Sequence, residues 1–213
     1  FKIASNCGLE IIEWVFDEIY PNPILSDEGV REINQLMQIS NISINAICAD
    51  YFMAKKLFNE SQSELEKNIE SIKKLIIQAN KLEISMIEIP LVDSSSLKTN
   101  ENKKEITSNL KKILPLAEKN NVAIVLETDL NPGDFKEFLE GFNHPSIMAN
   151  YDSGNSSSLG YNSGEELTEL KKWIKNVHVK DRKFQGTTVP FGMGDTDFDL
   201  FFSSLSKIDY SGD

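Results

Sequence analysis

The chain has 213 residues, 40% of them hydrophobic and 26% charged, which suits one soluble globular domain with a real core. Its 33 acidic against 22 basic side chains leave a formal net charge of -11, and that argues against a nucleic-acid surface, which needs clustered Lys and Arg. Cys7 and Cys48, the only two cysteines, make no disulfide framework. A reducing cytoplasm is therefore the expected location. No apolar run approaches the roughly 18 residues of a membrane span.

In chain order, six apolar runs read as strands: Leu9 to Asp17, Ile42 to Phe52, Ser85 to Asp93, Val122 to Asp129, Ser146 to Gly154 and Asn176 to Arg182. Helices fill the intervals. Ser26-Asp27-Glu28 offers acceptors for the start of a helix through Met37, and Asp195-Thr196-Asp197 does so for the last helix. Between them, Leu65, Ile69, Ile72, Ile76, Ala79 and Leu82 keep the three- and four-residue spacing of one buried stripe. Ile106, Leu110, Ile113 and Ala117 do the same in the next helix.

A repeated βα order with short apolar strands and no tight hairpin predicts a parallel sheet. A doubly wound sheet and a (β/α)8 barrel both fit. No Gly-rich dinucleotide fingerprint follows a strand, which favours the barrel. The chain starts at Phe1 without Met and stops at "IDYSGD" where a further strand would begin. The expectation is one α/β domain over 1–213, an incomplete (β/α)8 TIM barrel truncated at both ends, with the first and eighth strands missing.

Polar residues close three successive strands: "ETD", "YDSGN" and "HVKDR". Alternation groups Val125, Glu127 and Asp129 on one face, Met148, Asn150 and Asp152 on the next strand's, and Asn176, His178 and Lys180 on the third's. The steps from 127 to 152 and from 152 to 178 are 25 and 26 residues, one βα unit each. A shared register would stack Glu127, Asp152 and His178 at one rim, the end where barrels keep their chemistry. Two carboxylates and an imidazole suit Mn²⁺, Mg²⁺, Co²⁺ or Zn²⁺. Alone, a strand histidine between valines is more often a hydrogen-bonded core residue than a ligand; the equal spacing of all three favours the metal. His144 precedes its strand and reads as a turn residue. Glu13 and Glu88 are strand carboxylates that a solvated or capping role explains as well as a site does. Arg182 ends its strand as either a surface ion pair or an anion contact. The glycines of "GTTVPFGMG" would let backbone N–H groups approach a ligand.

The blocks "IVLETD", "NYDSGNSSSLGYN", "VHVKDR" and "TVPFGMGDTDF", in this order and spacing, resemble the sugar phosphate isomerases and epimerases of the xylose-isomerase-like barrel superfamily. The resemblance covers the chain from "GLEIIEW" to its end. It implies that Glu127, Asp152 and His178 bind one divalent metal with a second Glu past Asp213, and that Glu127 is also the general acid/base. Several members carry a His three residues after the metal-binding Asp; here Asn155 stands there, implying an amide contact to substrate instead. Lys180, Arg182 and the glycine loop are the candidates for holding a phosphate or distal hydroxyls. The activity implied is metal-dependent isomerisation or epimerisation of a ketose or ketose phosphate through an enediolate. An inosose-type dehydratase and a non-catalytic sugar-binding homologue are the alternatives. The related apurinic-site endonucleases build a multi-zinc cluster from several histidines, and two histidines cannot. The expected partner is a small sugar or sugar phosphate, not a nucleic acid or a membrane; a homo-oligomer is left open.

Overall fold

A computed structural model describes residues 1–18 and 22–212 of the protein. Six strands, β1 (Ile11–Val15), β2 (Ser43–Cys48), β3 (Met86–Leu91), β4 (Ala123–Thr128), β5 (Ile147–Asp152) and β6 (Ile174–His178), form one sheet in strictly sequential order. The pairs β1·β2, β2·β3 and β5·β6 are parallel. Sequential order decides between the two architectures the βα pattern allowed. A doubly wound sheet reverses its strand order at a switch point, whereas a barrel adds each strand beside the last. The incomplete (β/α)8 arrangement holds.

Ten α-helices accompany the strands among the described residues: α1 (Lys2–Asn6), α2 (Asp27–Ser40), α3 (Tyr51–Ala54), α4 (Gln62–Lys81), α5 (Asn100–Lys111), α6 (Leu114–Lys119), α7 (Pro132–Glu140), α8 (Ser153–Leu159), α9 (Ser163–Leu170) and α10 (Phe198–Lys207). The expected caps are in place. Ser26 Oγ accepts from Gly29 N at 2.9 Å, and Asp197 Oδ1 accepts from Leu200 N at 2.9 Å. The stripe expected as one helix through Ala117 is two, because Pro115 in the first turn of α6 has no N–H to continue the ladder.

The contacts gather into two compact units. The first holds Phe1–Pro90, Lys98–Ile124 and His144–Ser146. Its α4 packs against α2 and α6, and its buried stripe of Leu65, Ile69, Ile72, Ile76, Ala79 and Leu82 is the predicted one. Ile76 is fully buried. Truncating it to Ala removes apolar contact and leaves a cavity, so a loss of about 3 kcal/mol is expected. A urea midpoint within error of the parent's would show that this stripe does not carry the core. His144 is a turn residue, its Nδ1 accepting from Ser146 N at 3.2 Å.

The second unit holds Leu91–Leu97, Val125–Asn143 and Ile147–Asp213. There α9 packs against α7, α8 and α10. Tyr151, Leu167 and Phe201 form a buried cluster, with the Tyr151 and Phe201 rings stacked at 5.8 Å. Three expected strands end early; in the first unit the run to Phe52 stops at Cys48, and Tyr51 and Phe52 open α3 instead. The run to Gly154 stops at Asp152, whose side chain starts α8 instead. The run to Arg182 stops at His178; after a break, Asp181–Arg182 (β7) pairs antiparallel with Thr188–Val189 (β8).

Candidate functional site

The second unit contains Glu127, Asp152, His178, Asn155, Lys180 and Arg182. Their placement starts with register. Asp152 pairs directly with His178, and Asn150 with Asn176. Between Ala149↔Ile174 and Asn150↔Asn176 the register shifts, inserting Lys175 as a bulge in β6. Without that extra residue Asp152 would face Val177, whose side chain lies on the opposite face. The bulge is what brings the imidazole to the carboxylate.

Glu127 and Asp152 are buried, 5% and 4% exposed. Asn150 Nδ2 donates to Glu127 Oε2 at 2.8 Å and lies 3.1 Å from His178 Nδ1. Asn155 Nδ2 donates to Glu127 Oε1. Both carboxylate oxygens of Glu127 thus meet an amide, which fixes the side chain. His178 Nδ1 lies 3.6 Å from Glu127 Oε2 and 3.8 Å from Asp152 Oδ2. Asn176 Nδ2 is 3.3 Å from the other ring nitrogen.

Asp152 divides its work between its two oxygens. Oδ1 accepts from Gly154 N at 3.0 Å and Asn155 N at 2.8 Å, capping α8. Oδ2 is buried and pairs with the Lys180 ammonium, whose Nζ stands 2.6 Å away. Burial and the charge of Glu127 push the Asp152 pKa up, while Lys180 and the Asn155 N–H pull against them. The cap requires close approach of the chain after β6. A Cβ on Gly154 would stand 2.7 Å from the Lys180 Cβ, so a larger residue there would push Lys180 away.

The two cations differ in reach. Lys180 is 41% exposed along its side chain and pairs with Asp152. Arg182 donates Nη1 to Asn155 Oδ1 at 2.5 Å and Nη2 to the Gly186 carbonyl at 2.8 Å. Asn155 therefore bridges Arg182 to Glu127 with both ends of its amide. The loop glycines are also engaged, since Gly192 N and Gly194 N both donate to Asp181 Oδ2 at 2.8 Å.

A divalent ion fits this donor set. His178 Nδ1 lies within 4 Å of an oxygen of each buried carboxylate, and the Asp152 oxygen concerned is met by the Lys180 ammonium. The groups that now meet these donors are the neutral Asn150 amide and the half-exposed Lys180 ammonium. The first unit gathers a different group, Glu13, Cys48 and Glu88, with ligand atoms within 4.8 Å of one another. Burial, then the charges of Glu88, Asp50 and Glu13, drive the Cys48 pKa up and keep it a thiol, the form that does not ligate.

Sequence reasoning gave Asn150 and Asn176 no role, although both fall on the quoted faces, two residues before Asp152 and His178. An amide on a buried strand was the available signal. It also missed Glu166, which accepts from Tyr151 OH at 2.9 Å and from the Ser156 hydroxyl, behind the Asp152 cap. Burial pushes the Glu166 pKa up to about 7 against the pull of those hydroxyls. The folded protein thus keeps a proton that the unfolded chain releases at lower pH, so this contribution to stability is lost as pH rises toward and through about 7. The raised Asp152 acts in the same direction. Melting temperature should fall between pH 5 and 8, less steeply in Glu166→Gln; parallel slopes would count against this assignment.

The sequential parallel sheet, with carboxylates and an imidazole at its strand ends, defines a barrel-type α/β protein with a polar site at one rim. A family model described as the xylose isomerase-like TIM barrel matches residues 1–212, and the chain belongs to that family. Among curated proteins it is similar to one from Haemophilus influenzae named "Putative L-ribulose-5-phosphate 3-epimerase SgbU". The two are 28% identical over 230 residues, covering 99% of this chain and 79% of that protein. A xylose isomerase domain protein from Planctomyces limnophilus superposes with a TM-score of 0.81 at 17% identity, covering 99% of this chain and 80% of that one. A xylose isomerase-like TIM barrel protein from Mycobacterium smegmatis, in complex with magnesium, does so with a TM-score of 0.77 at 16% identity, covering 99% and 78%. These two likenesses show the fold. No helix among the described residues is long and apolar enough to cross a membrane.

Proposed function

We propose that the protein is a divalent-metal-dependent epimerase or isomerase of a ketose or ketose phosphate, working in the cytoplasm through an enediolate. The observation that carries this reading is Glu127. A buried carboxylate is held by an amide at each oxygen and lies beside Asp152 and His178, so it has one orientation in which to take a proton. Glu127, Asp152 and His178 would hold the ion, which fits the chemistry of the three donors; the choice among Mn²⁺, Mg²⁺, Co²⁺ and Zn²⁺ stays with experiment. When bound, a divalent ion supplies positive charge to substrate oxygens on which negative charge builds.

The chain's own residues do the rest. Glu127 takes the proton from the carbon next to the carbonyl, and burial favours a carboxylate that is closely positioned and desolvated. Lys180 and Arg182, both partly exposed, are the contacts for a phosphate or distal hydroxyl. Asn155 holds Glu127 and Arg182 together and contributes to substrate binding through that alignment. Delivery of a proton by a second acid on the opposite face inverts the centre; delivery by Glu127 to the adjacent carbon moves the carbonyl. The name of the Haemophilus influenzae relative favours inversion at carbon 3 of a ketose phosphate.

The test incubates the protein with Mn²⁺ and a panel of ketoses and ketose phosphates in D₂O. Deuterium should enter next to the carbonyl of at least one of them, detected by NMR, and chelation should stop it. A metal-loaded protein that exchanges no sugar proton would overturn the reading.

A further inference from the structure

We infer that Asp181 is the positioning residue for the cationic rim of the site, fixing Lys180 and Arg182 from behind through the loop 192–196. The inference rests on the sugar-isomerase reading for its substrate, but its geometry stands apart from the metal ligands. Asp181 is 2% exposed. Its Oδ2 accepts from Gly192 N and Gly194 N at 2.8 Å each, and its Oδ1 accepts from Thr196 N at 3.3 Å. All three bonds run to one loop; none runs to Glu127, Asp152 or His178.

The same loop then ties down the backbone on both sides of Asp181. Asp195 N donates to the Arg182 carbonyl at 2.9 Å, and Thr196 Oγ1 donates to the Lys180 carbonyl at 3.3 Å. Residues 180 and 182 are the two that reach Asp152 and Asn155. A carboxylate between them, directed into the loop, sets both at once. Burial works against the charged form, yet the N–H groups of Gly194, Thr196 and Gly192 hold the Asp181 pKa below the usual range. The loop is shaped for this contact. A Cβ on Gly194 would stand 1.9 Å from Asp181 Oδ1, and Gly192 has a φ of 81°. The expected use of these glycine N–H groups was a ligand's anion; in the structure their anion is Asp181.

Asp181→Asn tests the inference, since an amide offers one acceptor oxygen and turns N–H groups toward N–H groups. Backbone amides of 192–196 should exchange with D₂O about tenfold faster, the scale of losing a charge-assisted hydrogen bond. For the ketose or ketose phosphate that the parent turns over, KM should rise about tenfold and kcat change less than about threefold. Mn²⁺ affinity should not move. Unchanged exchange, or a loss of Mn²⁺ affinity and kcat together with KM, would overturn the role. If Asp181→Asn does not fold, Gly192→Ala loosens the same clamp at a position with nothing within 4 Å of the added Cβ, and the same pattern is expected at smaller size. If the parent turns over no ketose, the function reading fails alone. The inference is then decided by amide exchange and by the Arg182 guanidinium protons: their hydrogen bonds predict slow exchange in the parent, which Asp181→Asn should abolish, and its retention overturns the role.

Discussion

Replacing Glu127 with Gln is expected to lower deuterium exchange next to the ketose carbonyl by about a thousandfold, within the range that a positioned general base contributes. The size follows from the environment of the side chain. The substitution keeps the side-chain volume, but the new amide nitrogen would face one of two amide donors, Asn150 Nδ2 or Asn155 Nδ2. It would also have no lone pair basic enough to take a carbon-bound proton. Asp152 and His178 remain, so Mn²⁺ should still bind, though more weakly for the loss of one ligand charge. Calorimetric titration with Mn²⁺ separates the two effects from one preparation. Exchange that survives in a metal-loaded Glu127→Gln protein would move the proton transfer to another residue.

Lys180→Met should change two properties in opposite directions. In the structure the Lys180 ammonium lies 2.6 Å from Asp152 Oδ2, in the space between a buried carboxylate and solvent. Removing one partner of a fully buried ion pair costs about 3–5 kcal/mol, but a side chain 41% exposed is screened, so about 1–2 kcal/mol is the scale here. The metal-free protein should melt about 3–6 °C lower. A divalent ion, in contrast, no longer competes with an ammonium for Asp152, and Mn²⁺ affinity should rise about tenfold, since an exposed charge near 3 Å is worth about 1–1.5 kcal/mol. Melting with and without Mn²⁺ reads both signs. A variant in which stability and affinity fall together would show that Lys180 supports the ligand geometry instead of competing for it.

The parts of this molecule legible in the sequence were those set by periodicity. The α4 stripe, the Ser26 and Asp197 caps and the six strands follow from spacing and local acceptors. So does the meeting of Asp152 with His178, although the bulge at Lys175 that makes it possible leaves no mark in composition. What stayed hidden depended on where backbone groups find partners. Asp152 reads as part of a strand running on to Gly154 until its Oδ1 is seen to cap α8. "KDR" reads as the tail of one, whereas Asp181 breaks the strand by collecting three N–H groups from residues 11 to 15 positions later. Arg182 and Asn155 were assigned to substrate as separate contacts. Their hydrogen bond to each other is a pairing across 27 positions that no local pattern encodes.

The double duty of Asp152 bears on how activity should be traced through descent. Because one oxygen caps α8 whatever the other does, a lineage that abandoned chemistry would still be selected to keep this aspartate for folding. Its presence in a distant homologue therefore says little about turnover. Glu127 and His178 cap no helix, so on the reading proposed above their joint loss beside a retained Asp152 is the more telling mark of lost turnover.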